Sequence, residues 1–386
     1  MRILIVDDNP TNQIVIEKVL QKAGYQQNTK LSSAFELIDY LHMNEEQPQE
    51  SLFEHADADL ILLDMMMPGM DGIEVCRLIQ KYPHLKDIPI IMVTAVGDSS
   101  KLAEALDAGA IDFVTKPINK IELLARIRVA LRLKYEKDWH KNQDKIIRQE
   151  LDLARQVQRG VMSDTLHNEA LHIDALYRPS SQLAGDMYAW QQLDNGKYGV
   201  MIIDVMGHGI SSALVCMFIS SQIRELLQRN VDPVEMMQQL NARMMELQTE
   251  SIPISYYFTG IYCVIDPVHQ ELEYVNAGHP PGLLVEATGK VRRLETSSCA
   301  IGMFEELEMR KERISFTADS KLYLYTDGLM EQHAMEEDPD QQIKQLSQLF
   351  KRERKADMEE LFHHFVSTQF GTEQHDDVCL VGVHIK

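Results

Sequence analysis

Apolar and polar residues alternate along the first third of the chain in a pattern that predicts a parallel sheet between helices. Short, continuously apolar runs are typical of buried strands, and four occur here: 3–6, 60–63, 88–93 and 111–114. Stretches with apolar residues at helical spacing lie between and after them, at 11–23, 71–82, 99–108 and 119–133. Because strands and helices take turns, we predict a doubly wound α/β domain over residues 1–133.

The next segment, residues 134–164, is predicted to be a helical connector. It contains neither Pro nor Gly before Gly160, so the last helix of the first domain meets no stop signal. A stripe within it recurs at alternating intervals of four and three residues, formed by Ile147, Leu151, Ala154, Gln158 and Val161. Two interpretations remain open: a short coiled coil that makes a homodimer, or a face that packs on its own domain.

Residues 165–386 predict an α+β domain in which an antiparallel β-sandwich is flanked by helices. The predicted strands are 171–177, 187–192, 198–204, 256–265, 271–276, 282–285, 307–316, 321–325 and 378–385. The predicted helices are 211–228, 233–248, 341–351 and 358–370.

Composition narrows the partners and the compartment. A net charge of -21 argues against nucleic acid or an anionic membrane as the main partner, because both are negatively charged. The five cysteines are scattered and lack a CxxC pair, which indicates reduced thiols. The start of the chain does not resemble a signal peptide, and no apolar run is expected to reach membrane-spanning length. We therefore expect a cytoplasmic protein.

A first candidate site follows from acids at the ends of predicted strands. Asp7 and Asp8 end the first strand and Asp64 ends the second, and such strand ends share one edge of a parallel sheet. Three adjacent carboxylates repel one another unless a cation lies among them, and Mg²⁺ prefers oxygen ligands. Asp64 could then attack a phosphoryl group, with Lys116 sharing the developing charge.

These residues, together with Thr94, Pro117 and the sequence from Met67 to Gly72, closely resemble a two-component response-regulator receiver domain. The resemblance implies a five-stranded parallel sheet and Asp64 as the acceptor of phosphate from a histidine kinase. It also implies that the carbonyl of Met66 completes a Mg²⁺ shell formed by Asp7, Asp8 and Asp64. Thr94 and Phe113 would be the switch residues, and the peptide before Pro117 would be cis.

A second set of acids follows the strands of the C-terminal region. Asp186, Asp204, Asp327 and the pair Asp376–Asp377 each lie beside a glycine or a turn. If the fold brings them together, they make an oxygen-rich pocket that suits two Mg²⁺ or Mn²⁺ ions, whereas zinc would normally recruit His or Cys. Two such ions can hold a phosphate and activate a water for in-line attack.

The surrounding motifs resemble the metal-dependent protein serine/threonine phosphatases of the PPM type, in particular the bacterial stress-regulation and sporulation branch. The matching segments are 183–188, 204–209, 258–260, 276–281, 324–328 and 376–377. The resemblance implies metal ligation by Asp186, Asp204, Asp327 and Asp376 and by the carbonyl of Val205. Asp377 would lie in or directly behind the metal shell. Ala189 and Cys379 depart from the usual pattern but leave these carboxylates in place.

Together the two resemblances predict a response regulator whose phosphorylation at Asp64 controls a phosphatase. Its implied substrate is phosphoserine or phosphothreonine on a phosphorylated anti-sigma-factor antagonist. The alternative is a catalytically weak, phosphatase-like adaptor that binds and sequesters a partner. Such an adaptor is expected to have lost metal carboxylates, and all four are present here. The sign of the control and the choice between Mg²⁺ and Mn²⁺ stay open.

Overall fold

A computed structural model describes residues 1–43, 58–95, 99–247, 256–331, 338–357, 360–363 and 376–386. The chain divides into two compact units, Met1–Ile147 and Arg148–Lys386. The predicted boundaries at 133 and 164 stay predictions.

The first unit is a five-stranded parallel sheet with helices on both faces, as predicted. Its strands are β1 (Arg2–Val6), β2 (Gln27–Leu31), β3 (Leu60–Asp64), β4 (Ile90–Thr94) and β5 (Asp112–Thr115), in the order β2-β1-β3-β4-β5. Its helices are α1 (Pro10–Lys22), α2 (Ala34–Tyr40), α3 (Gly72–Gln80), α4 (Ser99–Asp107) and the long α5 (Lys120–Gly160). Two apolar cores, one on each face of the sheet, hold these layers together.

Strand β2 and helix α2 have no counterpart among the predicted elements. β2 has the sequence Gln-Asn-Thr-Lys-Leu and lies at the edge of the sheet. Only Leu31 of this strand is buried, so it carries no apolar run by which it could be recognised. α2 has only seven residues, which is too short for a clear helical period.

The second unit contains two antiparallel sheets. Its strands are β6 (Leu166–His167), β7 (Leu171–Arg178), β8 (Asp186–Gln192), β9 (Tyr198–Val205), β10 (Phe258–Asp266), β11 (Glu271–Ala277), β12 (Gly282–Val285), β13 (Val291–Leu294), β14 (Glu312–Ser315), β15 (Ser320–Tyr325) and β16 (Val378–Ile385). Its helices after α5 are α6 (Ile210–Gln228), α7 (Pro233–Leu247), α8 (Gly328–Glu331) and α9 (Pro339–Arg352).

The two sheets face each other across a shared apolar core, which confirms the predicted sandwich. One sheet has the order β14-β11-β10-β9-β8 and the other the order β13-β12-β15-β16-β7-β6. Side chains from both sheets, such as Ile202, Ile261, Leu322 and Val381, are buried between them. α6 and α7 cover the outer face of the first sheet and α9 packs on the outer face of the second.

One predicted strand is shorter than expected, one observed strand was not predicted, and one predicted helix lies mostly outside the described residues. The strand predicted at 307–316 is present only at Glu312–Ser315, because β14 pairs with β11 only over that short register. β13 was not predicted, since its sequence Val-Arg-Arg-Leu is half polar. The helix predicted at 358–370 lies mostly outside the described residues; positions 360–363 are helical.

Helix α6 corrects the expectation that no apolar run reaches membrane-spanning length. With 19 residues and a mean hydropathy of 1.3, α6 is long and apolar enough by length and composition alone. Half of this stretch is buried in the unit, where Ile219 and Ile223 pack in the core above the first sheet. The helix therefore has the burial of a core helix.

The connector is helical through Gly160, as predicted. Gln158 is 3% exposed, and its side chain donates to the carbonyl of Ala184 at 2.8 Å and accepts from the amide of Ala184 at 3.2 Å. At this position the predicted stripe packs on its own domain. Ile147, at the other end of the stripe, is exposed.

Candidate active sites: two carboxylate clusters

The first cluster, called the N-terminal cluster below, consists of Asp7, Asp8 and Asp64. One carboxylate oxygen from each lies within 4.8 Å of the others, because β1 and β3 are adjacent parallel strands that end at the same edge. The ammonium of Lys116 lies 2.9 Å from Asp7 and 2.8 Å from Asp64. The predicted acids are therefore brought together, and the ammonium of Lys116 contacts two of them.

The charges of this cluster balance only in part. Burial raises the pKa of Asp64, and the charge of Asp7 adds to this, while the hydrogen bond from Lys116 opposes it. Burial alone would lower the pKa of Lys116, but its hydrogen bonds to Asp64 and Asp7 outweigh that and raise it. One divalent cation would complete the balance, and the all-oxygen donor set fits Mg²⁺.

The remaining predicted residues of the first unit surround this edge of the sheet. The Thr94 hydroxyl is buried at the end of β4 and donates to the sulfur of Met65 at 3.5 Å. The guanidinium carbon of Arg126 lies over the ring of Phe113, 5.4 Å from the ring centre. The amide of Met66 is 3.4 Å from Asp64, and the Lys116–Pro117 peptide is cis, as the resemblance implies.

Sequence reasoning missed Asn12, whose side-chain amide donates to both oxygens of Asp7 at 3.0 and 3.1 Å. These contacts orient the Asp7 carboxylate. The only signal was the position of Asn12 in the first turn of α1, directly after the acid pair.

The second cluster, called the C-terminal cluster below, consists of Asp186, Asp204, Asp327 and Asp376. Asp186 begins β8 and lies opposite Asp204 in the antiparallel register of β8 and β9. Asp327 lies two residues after the end of β15, and Asp376 lies two residues before the start of β16. β15 and β16 are paired neighbours. One end of each sheet thus contributes two of the four acids.

Two glycines allow the loops of this cluster to approach closely. A Cβ on Gly185 would lie 2.9 Å from the carbonyl oxygen of Val205, the carbonyl predicted as a metal ligand. A Cβ on Gly328 would lie 2.0 Å from the carbonyl oxygen of Asp377. A larger residue at either position would push the acid-bearing segments apart.

The C-terminal cluster carries strong mutual repulsion. Burial raises the pKa of Asp186 well above its ordinary value, and the charge of Asp204 raises it further. Burial, repulsion by Asp327 and a side-chain hydrogen bond with Asp327 raise the pKa of Asp204 to about 8. Burial also raises the pKa of Asp376, against a hydrogen bond from the amide of Asp377.

Asp377 and Thr326 form hydrogen bonds that fix the segment around Asp186. One oxygen of Asp377 accepts from the amide and hydroxyl of Ser180 at 2.7 and 2.8 Å, and the other accepts from the amide of Gly185 at 2.7 Å. Both oxygens of Asp377 are thus engaged by the loop before Asp186, which fits a place behind the metal shell. Direct metal ligation by Asp377 stays a prediction.

Thr326 was missed, although it lies inside a quoted motif. Its hydroxyl donates to Asp186 at 2.8 Å and accepts from the amide of Cys379 at 3.0 Å. The sequence signal was its place between a buried strand and Asp327. Ser180 gave no signal, since 197 residues separate it from Asp377.

His279 and the thiols of Cys216 and Cys379 in the second unit are buried. His279 is 2% exposed, hydrogen-bonds to Thr259 at 2.9 Å, and burial lowers its pKa to about 3. Burial raises the pKa of the thiols of Cys216 and Cys379 well above the ordinary value, so both stay protonated. The four aspartates of the cluster offer carboxylate oxygen, which fits Mg²⁺ or Mn²⁺, whereas zinc would normally recruit His or Cys.

An α/β unit with an acid cluster at its strand ends, followed by an α-β-β-α sandwich with a second one, defines a two-domain signalling protein. The family described as "Response regulator receiver domain" matches residues 3–128, and "Stage II sporulation protein E (SpoIIE)" matches residues 194–386. The chain belongs to the SpoIIE family and carries a response-regulator receiver domain at its N-terminal side.

Two curated relatives illustrate the two parts. The chain is 36% identical over 249 residues to "Phosphoserine phosphatase RsbP" of Bacillus subtilis (strain 168). The matched region covers 62% of this chain and 58% of that relative. It is 39% identical over 134 residues to "Transcriptional regulatory protein YvrH" of the same organism. That match covers 35% of this chain and 50% of the relative. The chain therefore spans between half and three fifths of the length of these relatives.

A solved structure shows the same fold for the second unit. The SiaA-PP2C domain of Pseudomonas aeruginosa matches with a TM-score of 0.53 and 20% identity, over 63% of this chain and 99% of that domain. The sandwich of this protein thus has the PP2C fold.

Proposed function

We propose that this protein is a metal-dependent protein phosphatase whose activity is set by phosphorylation of Asp64. The observation that carries the proposal is the convergence of Asp186, Asp204, Asp327 and Asp376 from four separate strand ends. Family membership and the 36% identity to a phosphoserine phosphatase support the same activity.

The reaction is hydrolysis of a phosphomonoester: the bond from phosphorus to the serine or threonine oxygen breaks, and a bond from phosphorus to a water oxygen forms. Asp186, Asp204, Asp327, Asp376 and the carbonyl of Val205 would hold two Mg²⁺ or Mn²⁺ ions. When bound, these ions supply charge for the phosphoryl oxygens and lower the pKa of a water. Thr326 and Asp377 keep Asp186 and its loop in place for this task.

Asp64 is the proposed control point. It lies beside Asp7 and the ammonium of Lys116, so it can accept a phosphoryl group from a histidine kinase with Mg²⁺ bound to the N-terminal cluster. Phosphate on Asp64 would be sensed by Thr94 and Phe113. Helix α5, which begins in the first unit and ends in the second, links the two domains covalently.

The proposed substrate is a phosphorylated anti-sigma-factor antagonist in a partner-switching pathway. This proposal rests on the family and on the relative named as a phosphoserine phosphatase. We further propose a cytoplasmic homodimer. A second copy would cover exposed apolar residues of α5, among them Ile147 of the predicted stripe and, outside that stripe, Leu153 and Val157. Nucleic acid and membrane are not proposed as partners of a chain with a net charge of -21.

The experiment is phosphate release from a phosphoserine protein by the full chain, with Mn²⁺ or with chelator, and with or without a small-molecule phosphodonor. We expect metal-dependent turnover that changes with the phosphodonor in the wild type but not in Asp64→Asn. Asp107→Asn, an exposed acid at the end of α4, is the matched control.

The adaptor alternative predicts a different result. Folded, metal-loaded protein would bind the phosphorylated antagonist but release no phosphate, and Asp204→Asn would bind it equally well. Turnover that is identical in wild type and Asp64→Asn with the phosphodonor would remove the proposed control and leave the phosphatase.

A further inference from the structure

A polar cavity of about 260 Å³ lies at the end of the second sheet opposite to the C-terminal cluster. Lys321 is the second residue of β15 and pairs with His384 near the end of β16, and both line the cavity. Asp327 and Asp376 lie beyond the other ends of these two strands. Strands of this length span roughly 20 Å, so the cavity is separate from the carboxylates.

The cavity combines three lysine and arginine side chains with two acids that already have partners. Its charged lining consists of Glu286, Asp319, Lys321, Arg354, Lys355 and His384. Glu286 accepts from Arg292 at 2.9 Å, and Asp319 contacts His384 at 2.6 Å.

In the described part of the chain, no carboxylate forms an ion pair with Lys321, Arg354 or Lys355. Three such cations around one cavity are unexpected in a chain with a net charge of -21. The lining therefore has a local excess of positive charge that the protein itself does not neutralise.

Lys321 is the most informative of these groups because it is only 5% exposed. Its ammonium donates to the carbonyl of Ala356, which uses one of three donors. Burial lowers its pKa, while the more distant charges of Asp319, Asp357 and Glu360 oppose that shift. A buried ammonium without a contacting carboxylate is costly, and a bound anion would remove that cost.

Arg354 adds a planar donor group to the same cavity. One of its terminal nitrogens donates to the carbonyl of Lys351 at 3.2 Å, which ties it to the C-terminal end of α9. A guanidinium has five N–H donors, so most of them stay available. Guanidinium and ammonium groups that converge are the usual donors to phosphate oxygens.

We propose that this cavity binds a compact phosphate-type dianion. Its volume is below the roughly 300–1,000 Å³ of sites for drug-sized ligands, so the ligand is inorganic phosphate or a small phosphomonoester. The acids Glu286 and Asp319 can accept from hydroxyl or amino groups of such an ester. The proposal does not depend on phosphatase activity, since it concerns other residues at the other end of the sheet.

The test is calorimetric titration of the full chain with inorganic phosphate in the presence of chelator, which removes divalent cations from both carboxylate clusters. We expect one saturable site per chain. Arg354→Ala and Lys355→Ala should each weaken it by about tenfold or more, the loss expected for one charge-assisted hydrogen bond. The matched control is Arg352→Ala, an exposed cation of α9 that pairs with Glu353 and lies outside the cavity.

Parallel titrations with sulfate and with free phosphoserine distinguish the source of the anion. Tighter binding of phosphoserine would assign a small phosphomonoester, and tighter binding of phosphate would assign the inorganic ion. Absence of a saturable site would overturn the proposal. An equal loss in Arg352→Ala would also overturn it, because binding would then reflect only general surface charge.

Discussion

The two carboxylate clusters of this protein solve the same electrostatic problem in different ways. In the N-terminal cluster, Lys116 lies within 2.9 Å of two of the three acids. In the C-terminal cluster, no lysine or arginine among the described residues pairs with Asp186, Asp204 or Asp327, and the acids raise one another's pKa. The N-terminal cluster carries its own cation, whereas among the described residues Asp186, Asp204 and Asp327 have no paired lysine or arginine and are expected to be neutralised by metal ions.

The comparison explains why similar residues suit different tasks. A partly neutralised cluster needs only one divalent cation and leaves Asp64 available as a nucleophile. The C-terminal cluster, in which Asp186, Asp204 and Asp327 have no paired lysine or arginine among the described residues, suits two divalent ions, and its carboxylates would then be occupied as ligands. The difference in paired protein cations therefore fits the prediction of one metal ion in the N-terminal cluster and two in the C-terminal cluster.

The largest effect should come from removing an acid of the C-terminal cluster. We expect Asp186→Asn or Asp204→Asn to lower phosphate release on the order of 10³-fold, about 4 kcal/mol of transition-state stabilisation. Steady-state kinetics with saturating Mn²⁺ measures this. The control Asp194→Asn, an exposed acid at the other end of the same hairpin, should retain full activity; a similar loss there would mean a folding defect.

The next effect tests the internal cation of the N-terminal cluster. Lys116→Met leaves Asp7 and Asp64 without their ammonium and should destabilise the metal-free protein by about 2 kcal/mol, less than for a fully buried pair because Lys116 is 18% exposed. Mg²⁺ should then raise the melting temperature more in the variant than in the wild type. If Mg²⁺ stabilised both proteins equally, Lys116 would not neutralise the cluster. Lys120→Met, at the start of α5, is the control.

A smaller effect is expected for Thr326→Val, which removes the hydroxyl that donates to Asp186. Loss of a hydrogen bond to a metal-binding carboxylate should weaken Mn²⁺ binding by about tenfold, with little change in turnover at saturating metal. Titration of activity with Mn²⁺ separates the two quantities. Thr317→Val, on the surface before β15, should leave the titration unchanged, and a fall in turnover alone would contradict the assigned role.

The smallest effect is a pH dependence of the metal-free protein. The pKa of Asp204 is about 8 in the folded protein, above the roughly 3.9 of an unfolded chain, so folding retains a proton that unfolding releases. Stability should therefore fall as the pH rises towards 8, by about 1.4 kcal/mol per pH unit from Asp204 alone, and the raised pKa of Asp186 acts in the same direction. Thermal melts at pH 6 and 7 in chelator should show a loss of a few degrees, and saturating Mn²⁺ should abolish it. If stability fell equally with pH in saturating Mn²⁺, the pH dependence would come from groups outside the C-terminal cluster.

Residue patterns were sufficient to predict both architectures and the positions of the principal acids. Buried strands such as β3 and β9 appear as apolar runs, and acids directly after or at the end of such runs belong to a sheet edge. Two of the edge strands, β2 and β13, were not predicted, because both expose much of their length and their polar residues show no apolar run or alternation. Thr326 could have been suspected from its motif, whereas Ser180 could not.

By itself the sequence determined which segments form the buried strands and which acids end them, because local apolar runs report burial directly. Only the tertiary structure decided that Asp186 lies opposite Asp204, that Thr326 donates to Asp186, and that Asp377 accepts from Ser180 and Gly185. These contacts join residues that are distant in sequence, and they depend on strand register and on which strands become neighbours. Charge balance likewise depends on the tertiary structure. Lys116 contacts Asp7 although 109 residues separate them in sequence, so no pattern within a single segment can predict this contact.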